Sequence, residues 1–191
     1  GRRTDADAVV AAAEAVIRAG ARLVVVEAGD TARAERASDS IHASLRPQRR
    51  REAIARADRV VAGLLRRVDA TRALFLLVTP ATSLDATRAG NPLAPVVMAG
   101  RGVERGLVAS SSTRTAGLAA NTDIAPTVLA FLGVPAPAQM VGRPLTSVHD
   151  TRAVATALAL EARFRGIEDY ARPVMRWLVW VQIALLGAFC I

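Results

Sequence analysis

The spacing of apolar residues along the chain separates segments that predict helices from segments that predict strands. Near the N-terminus, Val9, Ala13, Val16 and Ile17 recur at helical spacing before Gly20, which predicts a helix over about 6–19. A longer apolar stripe, with arginines on the opposite face, predicts a second helix. Capping residues, helix-terminating glycines and further apolar faces predict two more helices. These three later helices are expected over 49–68, 123–133 and about 150–170.

Four runs of aliphatic and β-branched residues predict strands, since each run is short and is followed by Gly, Pro or polar residues. These runs are RLVVVEAGD (22–30), RALFLLVTP (72–80), LAPVVMAG (93–100) and GLVASSST (106–113). Between the first run and the second helix lies a polar loop, Thr31 to Pro47. Strands that alternate with helices favour an α/β fold with a mostly parallel sheet flanked by helices.

The last residues, Trp177–Ile191, form an apolar run without a charge. It is ~15 residues long, where a membrane-spanning helix needs about 20. Trp177 and Trp180 follow Arg172 and Arg176 in the manner of an aromatic belt, which favours the start of a transmembrane helix over a buried core helix. The chain is therefore predicted to divide into an α/β portion over 1–148, a connecting amphipathic helix over 149–173, and a truncated transmembrane helix over 174–191.

Composition limits the classes of function only a little. The formal charge is +8, but all 25 basic residues are arginines, spread along the whole chain, and aromatic residues make up 4%. This distribution does not favour a nucleic-acid interface, so no nucleic-acid partner is expected. The lone cysteine, Cys190, cannot form a disulfide or a CxxC site within this sequence.

One long segment carries a resemblance to a known family. The sequence NTDIAPTVLAFLGVPAPAQMVGRPL, residues 121–145, resembles the C-terminal signature of the alkaline phosphatase superfamily. In that signature an Asp-initiated helix, D-I-A-P-T-x-L-x-x-L-G, precedes an M-x-G-x-P-L loop. The order of the preceding elements is also similar, so the resemblance covers about residues 20–146 and implies the C-terminal part of that α/β core.

The resemblance implies two-metal phosphoryl or sulfuryl transfer, with Asp and His ligands at the ends of strands. Asp30 stands where the first ligand is expected, which makes it the candidate metal ligand. The other expected ligand positions hold residues other than the Asp or His that the resemblance implies. These are Ala34, Pro80 and Ala81, and Gly90 with Asn91. The usual metal site therefore looks degenerate.

Other candidates are few. His42, in the loop after the first run, could replace a missing ligand if the loop brought it near Asp30, although a surface histidine is the commoner situation. His149 is expected to lie beside Asp150 at the start of the last helix. The run Ser110–Thr113 offers hydroxyl groups, but no neighbouring base activates them, so no catalytic residue is assigned. Gly100-Arg101-Gly102 is too short for a phosphate-binding loop.

These observations predict a membrane-anchored alkaline-phosphatase-like domain that has lost most metal ligands and serves in binding or scaffolding. The resemblance implies an extracytoplasmic placement, whereas the arginines before Trp177 favour the opposite orientation. The domain's one expected partner is the lipid bilayer, reached through the C-terminal helix, and protein partners are left open. No cofactor is expected under this hypothesis. The alternative is a phosphate- or sulfate-ester hydrolase that uses zinc or manganese, with its nucleophile and other ligands upstream. A third interpretation keeps the last helix in the core of a soluble domain.

Overall fold

A computed structural model describes residues 3–91 and 93–189 of the 191-residue chain. Half of the chain is helical. The α-helices are α1 (Ala6–Arg18), α2 (Asp30–Arg36), α3 (Arg46–Leu65), α4 (Leu84–Arg88), α5 (Ile124–Leu132) and α6 (Ala153–Phe189). The strands are β1 (Leu74–Val78), β2 (Val96–Gly100), β3 (Gly106–Ala109) and β4 (Thr146–His149). Short 3-10 helices occupy Ser38–Ser40, Ala43–Leu45 and Asn121–Asp123.

The chain divides into two units, which we describe separately. The first comprises Gly1–Leu76, Met98–Gly102 and Phe131–Val134, and the second comprises Leu77–Val97, Val103–Ala130 and Pro135–Ile191.

Helix α3 forms the centre of the first unit, because both α1 and α2 pack against it. Asp5 starts α1 by accepting hydrogen bonds from the backbone N–H groups of Asp7 and Ala8, both at 3.1 Å. At the α1–α3 crossing, a Cβ atom on Gly63 would lie 2.6 Å from Cγ2 of Val10, so the two helices approach closely only because residue 63 has no side chain. The helices predicted over 6–19 and 49–68 are confirmed, with ends shifted by a few residues.

The first predicted strand, over 22–30, is wrong. Between α1 and α2 the chain is not part of any sheet, and the backbone groups of residues 22–28 make no backbone–backbone hydrogen bond within the described residues. Leu23 and Val25 are 54% and 84% exposed. The aliphatic sequence of residues 22–28 is typical of a strand, but no strand among the described residues pairs with this segment.

The sheets also correct the predicted fold class. The described strands form two separate two-stranded sheets, β1–β2 and β3–β4. In the first, Arg101 N bonds to Ala73 O at one end and Thr79 N to Pro95 O at the other, so the strands run antiparallel. In the second, Gly106 lies opposite His149 and Ala109 opposite Thr146, which is again antiparallel. An α/β fold with a mostly parallel sheet is therefore contradicted.

The prediction of a transmembrane helix is also wrong. Within 3–91 and 93–189, no helix combines the length and the apolar character needed to cross a bilayer. Helix α6 continues through Pro173, but a stretch of about 20 residues ending at Phe189 takes in both Arg172 and Arg176. Without a membrane-spanning helix, the structure does not support the predicted membrane location, the extracytoplasmic placement or the lipid bilayer as a partner. Cys190 and Ile191 lie outside the described residues.

Candidate functional site

Asp30, the candidate metal ligand, is the first residue of α2 and is 4% exposed. Its Oδ2 accepts a hydrogen bond from Thr4 N at 3.3 Å. Two guanidinium groups approach its Oδ1, through Arg33 Nη2 and Arg56 Nε, both at 3.3 Å. Arg56 Nε is buried and makes no hydrogen bond in the described chain, so its contact with Asp30 is ionic. Asp30 therefore joins the N-terminal segment, α2 and α3 in the first unit.

The surroundings of Asp30 keep it ionised. Burial raises the pKa of this carboxyl, but hydrogen bonds from Thr4 and Arg33 and the charge of Arg33 lower it more, so the pKa lies below its ordinary value. Two arginines already neutralise the carboxylate, and this environment does not fit a divalent cation. No group of three or more His, Cys, Asp or Glu side chains suited to hold a metal occurs among the described residues. Asp30 as a metal ligand stays a prediction.

Both histidines are exposed, His42 in a turn and His149 at the end of β4. His42 Nδ1 lies 2.9 Å from Ser44 Oγ and accepts a hydrogen bond from Ser44 N at 3.4 Å, which caps the short helix Ala43–Leu45. No hydrogen bond joins it to Asp30 within the described residues. His149 ends β4, and the neighbouring Asp150 accepts hydrogen bonds from Arg152 N and Thr156 Oγ1 at the start of α6. Each histidine thus lies in a local surface arrangement of its own unit.

The residues at the other positions where the resemblance implies a ligand lie in a helix, after a strand and in a loop. Ala34 lies within α2, and Pro80 and Ala81 follow β1. Asn91 is buried, where its Nδ2 donates to Glu161 Oε1 at 2.7 Å and its Oδ1 accepts from Leu93 N at 3.2 Å. The buried amide therefore ties the loop before β2 to α6 in the second unit.

Asp123 is the most thoroughly buried acidic residue in the described chain, with 0% exposure. Its Oδ1 accepts hydrogen bonds from Ser112 Oγ at 2.7 Å and Arg143 N at 2.9 Å. Its Oδ2 accepts one from Ala120 N at 3.0 Å. One carboxylate thus connects the turn after β3, the start of α5 and the loop that leads to β4.

Thr127 extends this connection by one turn of α5. Its Oγ1 donates to Asp123 O at 2.6 Å and accepts from Leu145 N at 2.8 Å. Asp123, Thr127 and Leu145 all belong to the segment that carries the family resemblance. Their side chains and backbone groups are used to hold the 140–145 loop against the helix, which is a packing role.

Hydrogen bonding also explains the ionisation of Asp123. Burial raises its pKa, but the backbone N–H of Arg143 and the hydroxyls of Ser110 and Ser112 lower it more, so the pKa lies below its ordinary value. The hydroxyl of Ser112 donates to a carboxylate that is a weak base, which does not activate it as a nucleophile.

The Ser110–Thr113 run is a turn, in which Arg114 N bonds to Ser110 O and Arg114 has a φ of 55°.

Sequence reasoning missed one feature of the first unit. A surface groove of about 280 Å³ lies along the first two turns of α3, lined by Arg3, Leu45, Gln48, Arg49 and Glu52. Its basic residues are distant in sequence, and nothing in the pattern of arginines distinguishes these two from the other twenty-three.

No protein-family model, curated protein or solved structure matches the chain.

Proposed function

We propose that this chain is a binding or scaffolding domain without hydrolytic chemistry of its own, in which the buried acidic residues maintain the fold. One observation carries the proposal: protein donors and cations occupy the carboxylates of both Asp30 and Asp123. Asp30 is neutralised by two arginines. Asp123 accepts hydrogen bonds from three parts of the second unit.

The chemistry of two-metal hydrolysis supports the same proposal. Such sites need several carboxylates and imidazoles that converge on the metal ions and have oxygen or nitrogen atoms free to coordinate. Asp30 Oδ1 lies 3.3 Å from each of two guanidinium nitrogens. His42 caps its own turn through Nδ1, and no hydrogen bond joins it to Asp30 within the described residues. The resemblance of residues 121–145 to the alkaline phosphatase superfamily then concerns helix capping and loop packing.

Metal content and ester hydrolysis test the proposal together. We expect the purified chain to retain no stoichiometric zinc or manganese after dialysis and to leave p-nitrophenyl phosphate and p-nitrophenyl sulfate unhydrolysed when either metal is supplied. Asp30→Asn should lose roughly 3 kcal/mol in the free energy of unfolding, because it leaves Arg56 buried without its counter-charge. Asp58→Asn, at an exposed position of α3, is the matched control.

A hydrolase would give a different result. Stoichiometric metal in the parent protein, released by Asp30→Asn under conditions where circular dichroism shows the variant still folded, would overturn the proposal. Metal-dependent ester hydrolysis that the same substitution abolishes would support the zinc- or manganese-dependent alternative.

A further inference from the structure

The groove along α3 brings together two arginines, Arg3 and Arg49, that have no carboxylate partner within the described residues. Elsewhere in this unit, Arg33 and Arg56 meet Asp30, and Arg18 and Arg67 meet Glu14. The side chains of Arg3 and Arg49 make no ion pair or hydrogen bond within the described residues 3–91 and 93–189, and both line the same concavity.

The one acidic residue in the groove does not balance the charge of both arginines. Glu52 also lines the groove, and its Oε1 accepts a hydrogen bond from Gln48 Nε2 at 3.1 Å. Two guanidinium groups and one carboxylate leave a formal excess of one positive charge. Because like charges that share a concave surface repel each other, an anion between the two arginines would stabilise them.

The residue types define the chemistry of such a ligand. A guanidinium group presents a planar fork of N–H donors that matches the oxygens of a carboxylate or phosphate. Leu45, 47% exposed, adds an apolar wall. The volume of about 280 Å³ lies just below the range of about 300–1,000 Å³ that is typical of small-molecule pockets, which suits a small ligand.

We propose that the groove formed by Arg3, Leu45, Gln48, Arg49 and Glu52 is a binding site for a small oxyanion, a phosphate or a carboxylate. The oxyanion lies between the guanidinium groups of Arg3 and Arg49, and any short apolar part lies against Leu45. This inference rests on the proposed binding role and names the class of ligand.

Nuclear magnetic resonance titrations test the site with defined probes. Inorganic phosphate and succinate are added separately to the ¹⁵N-labelled chain, with sodium chloride adjusted to hold the ionic strength constant. We expect saturable shifts of the Gln48 side-chain amide and of backbone amides in the first two turns of α3. The stronger of the two responses distinguishes a phosphate site from a carboxylate site, and saturation by either supports the proposal.

Single substitutions locate the binding. Arg49→Gln and Arg3→Gln should each weaken the affinity by at least about tenfold, because each removes a charge-assisted contact. Arg50→Gln removes the same charge from the neighbouring position, outside the groove, and should leave the affinity unchanged. Shifts that grow linearly without saturation, or equal weakening by Arg49→Gln and Arg50→Gln, would overturn the proposal.

This result is separable from that of the proposed function. Anion binding without metal retention or ester hydrolysis agrees with both proposals. Metal-dependent hydrolysis that Arg49→Gln leaves unchanged would sink only the proposed function.

Discussion

Asp30 and Asp123 remain charged by different means. Asp30 accepts a hydrogen bond from Thr4 N and is paired with the cations Arg33 and Arg56, whereas Asp123 receives only neutral donors, from two backbone N–H groups and serine hydroxyls. Ion pairs depend on how well the arginines reach the carboxylate, while backbone donors are fixed in place by the fold. Asp123 therefore holds three segments of the second unit in one arrangement.

Replacing Asp123 tests the contribution of its charge. Asp123→Asn keeps the size of the side chain but removes the charge and directs an N–H group at a backbone donor. Since hydrogen bonds to charged groups contribute about 1.5–3 kcal/mol each, we expect a loss of roughly 2–3 kcal/mol in the free energy of unfolding, measured by urea titration. Asp58→Asn at the surface should change it by less than about 0.5 kcal/mol. Equal effects of the two substitutions would contradict a structural role for Asp123.

Sequence alone singled out Asp30 as a candidate metal ligand but did not predict which residues contact it. Its position after an aliphatic run and at the start of α2 is a local feature. Its contact with Arg56, by contrast, depends on how α3 packs on α2, and no spacing in the sequence reports that contact. His42, which the sequence offered only as a substitute ligand near Asp30, caps its own turn instead, and no hydrogen bond joins the two residues within the described chain. The groove between Arg3 and Arg49 was missed because it also depends on packing between segments that are distant in sequence.

At the scale of elements, helices were predicted better than sheets. The signals for α1, α3 and α5 are local, since apolar periodicity and end residues lie within the element itself. Segment 22–28 has the residues of a buried strand and yet is unpaired, because pairing depends on a partner elsewhere in the chain. The direction of the strands is likewise non-local, and short apolar runs cannot distinguish antiparallel ribbons from a parallel sheet.

The loop before β4 gives a prediction at this scale. Gly142 has a φ of 103°, and a Cβ atom there would lie 2.3 Å from Thr122 O and 3.0 Å from Asp123 Oδ1. Gly142→Ala should therefore cost both backbone strain and a steric clash, together more than about 2 kcal/mol. Gly102 has a φ of 79°, and a Cβ atom added there would have no neighbouring atom within 4 Å, so this position isolates the strain.

The comparison of the two alanine variants is made by urea unfolding. Gly102→Ala should cost only about 1–2 kcal/mol, the penalty of left-handed backbone for a residue with a side chain. If Gly142→Ala costs no more than Gly102→Ala, then the close approach between the 140–145 loop and the residues preceding α5 is not required for stability.

At the scale of the whole molecule, the acidic residues with lowered pKa values link stability to pH. The pKa values of Asp30 and Asp123 lie below the ordinary value of 3.8 in the folded chain, because hydrogen bonds and, for Asp30, a nearby guanidinium outweigh burial. The unfolded chain therefore binds more protons than the folded chain in the acidic range. The stabilisation is fully present above pH values near 4 and is lost as the pH falls through the folded-state pKa values.

We therefore expect the free energy of unfolding, measured by urea titration, to change little between pH 7 and pH 5 through these groups and to fall steeply below about pH 4. Each proton taken up on unfolding contributes about 1.4 kcal/mol per pH unit to the slope. Asp123→Asn removes one of the groups that take up a proton on unfolding. The free energy of unfolding of this variant should therefore be lower than that of the parent at pH 7 and should decline less on acidification. Plots of this free energy against pH for parent and variant should converge at low pH. Parallel curves would mean that the charge of Asp123 does not contribute to the acid sensitivity, and that the contacts around it stabilise the second unit equally well when the carboxyl is protonated.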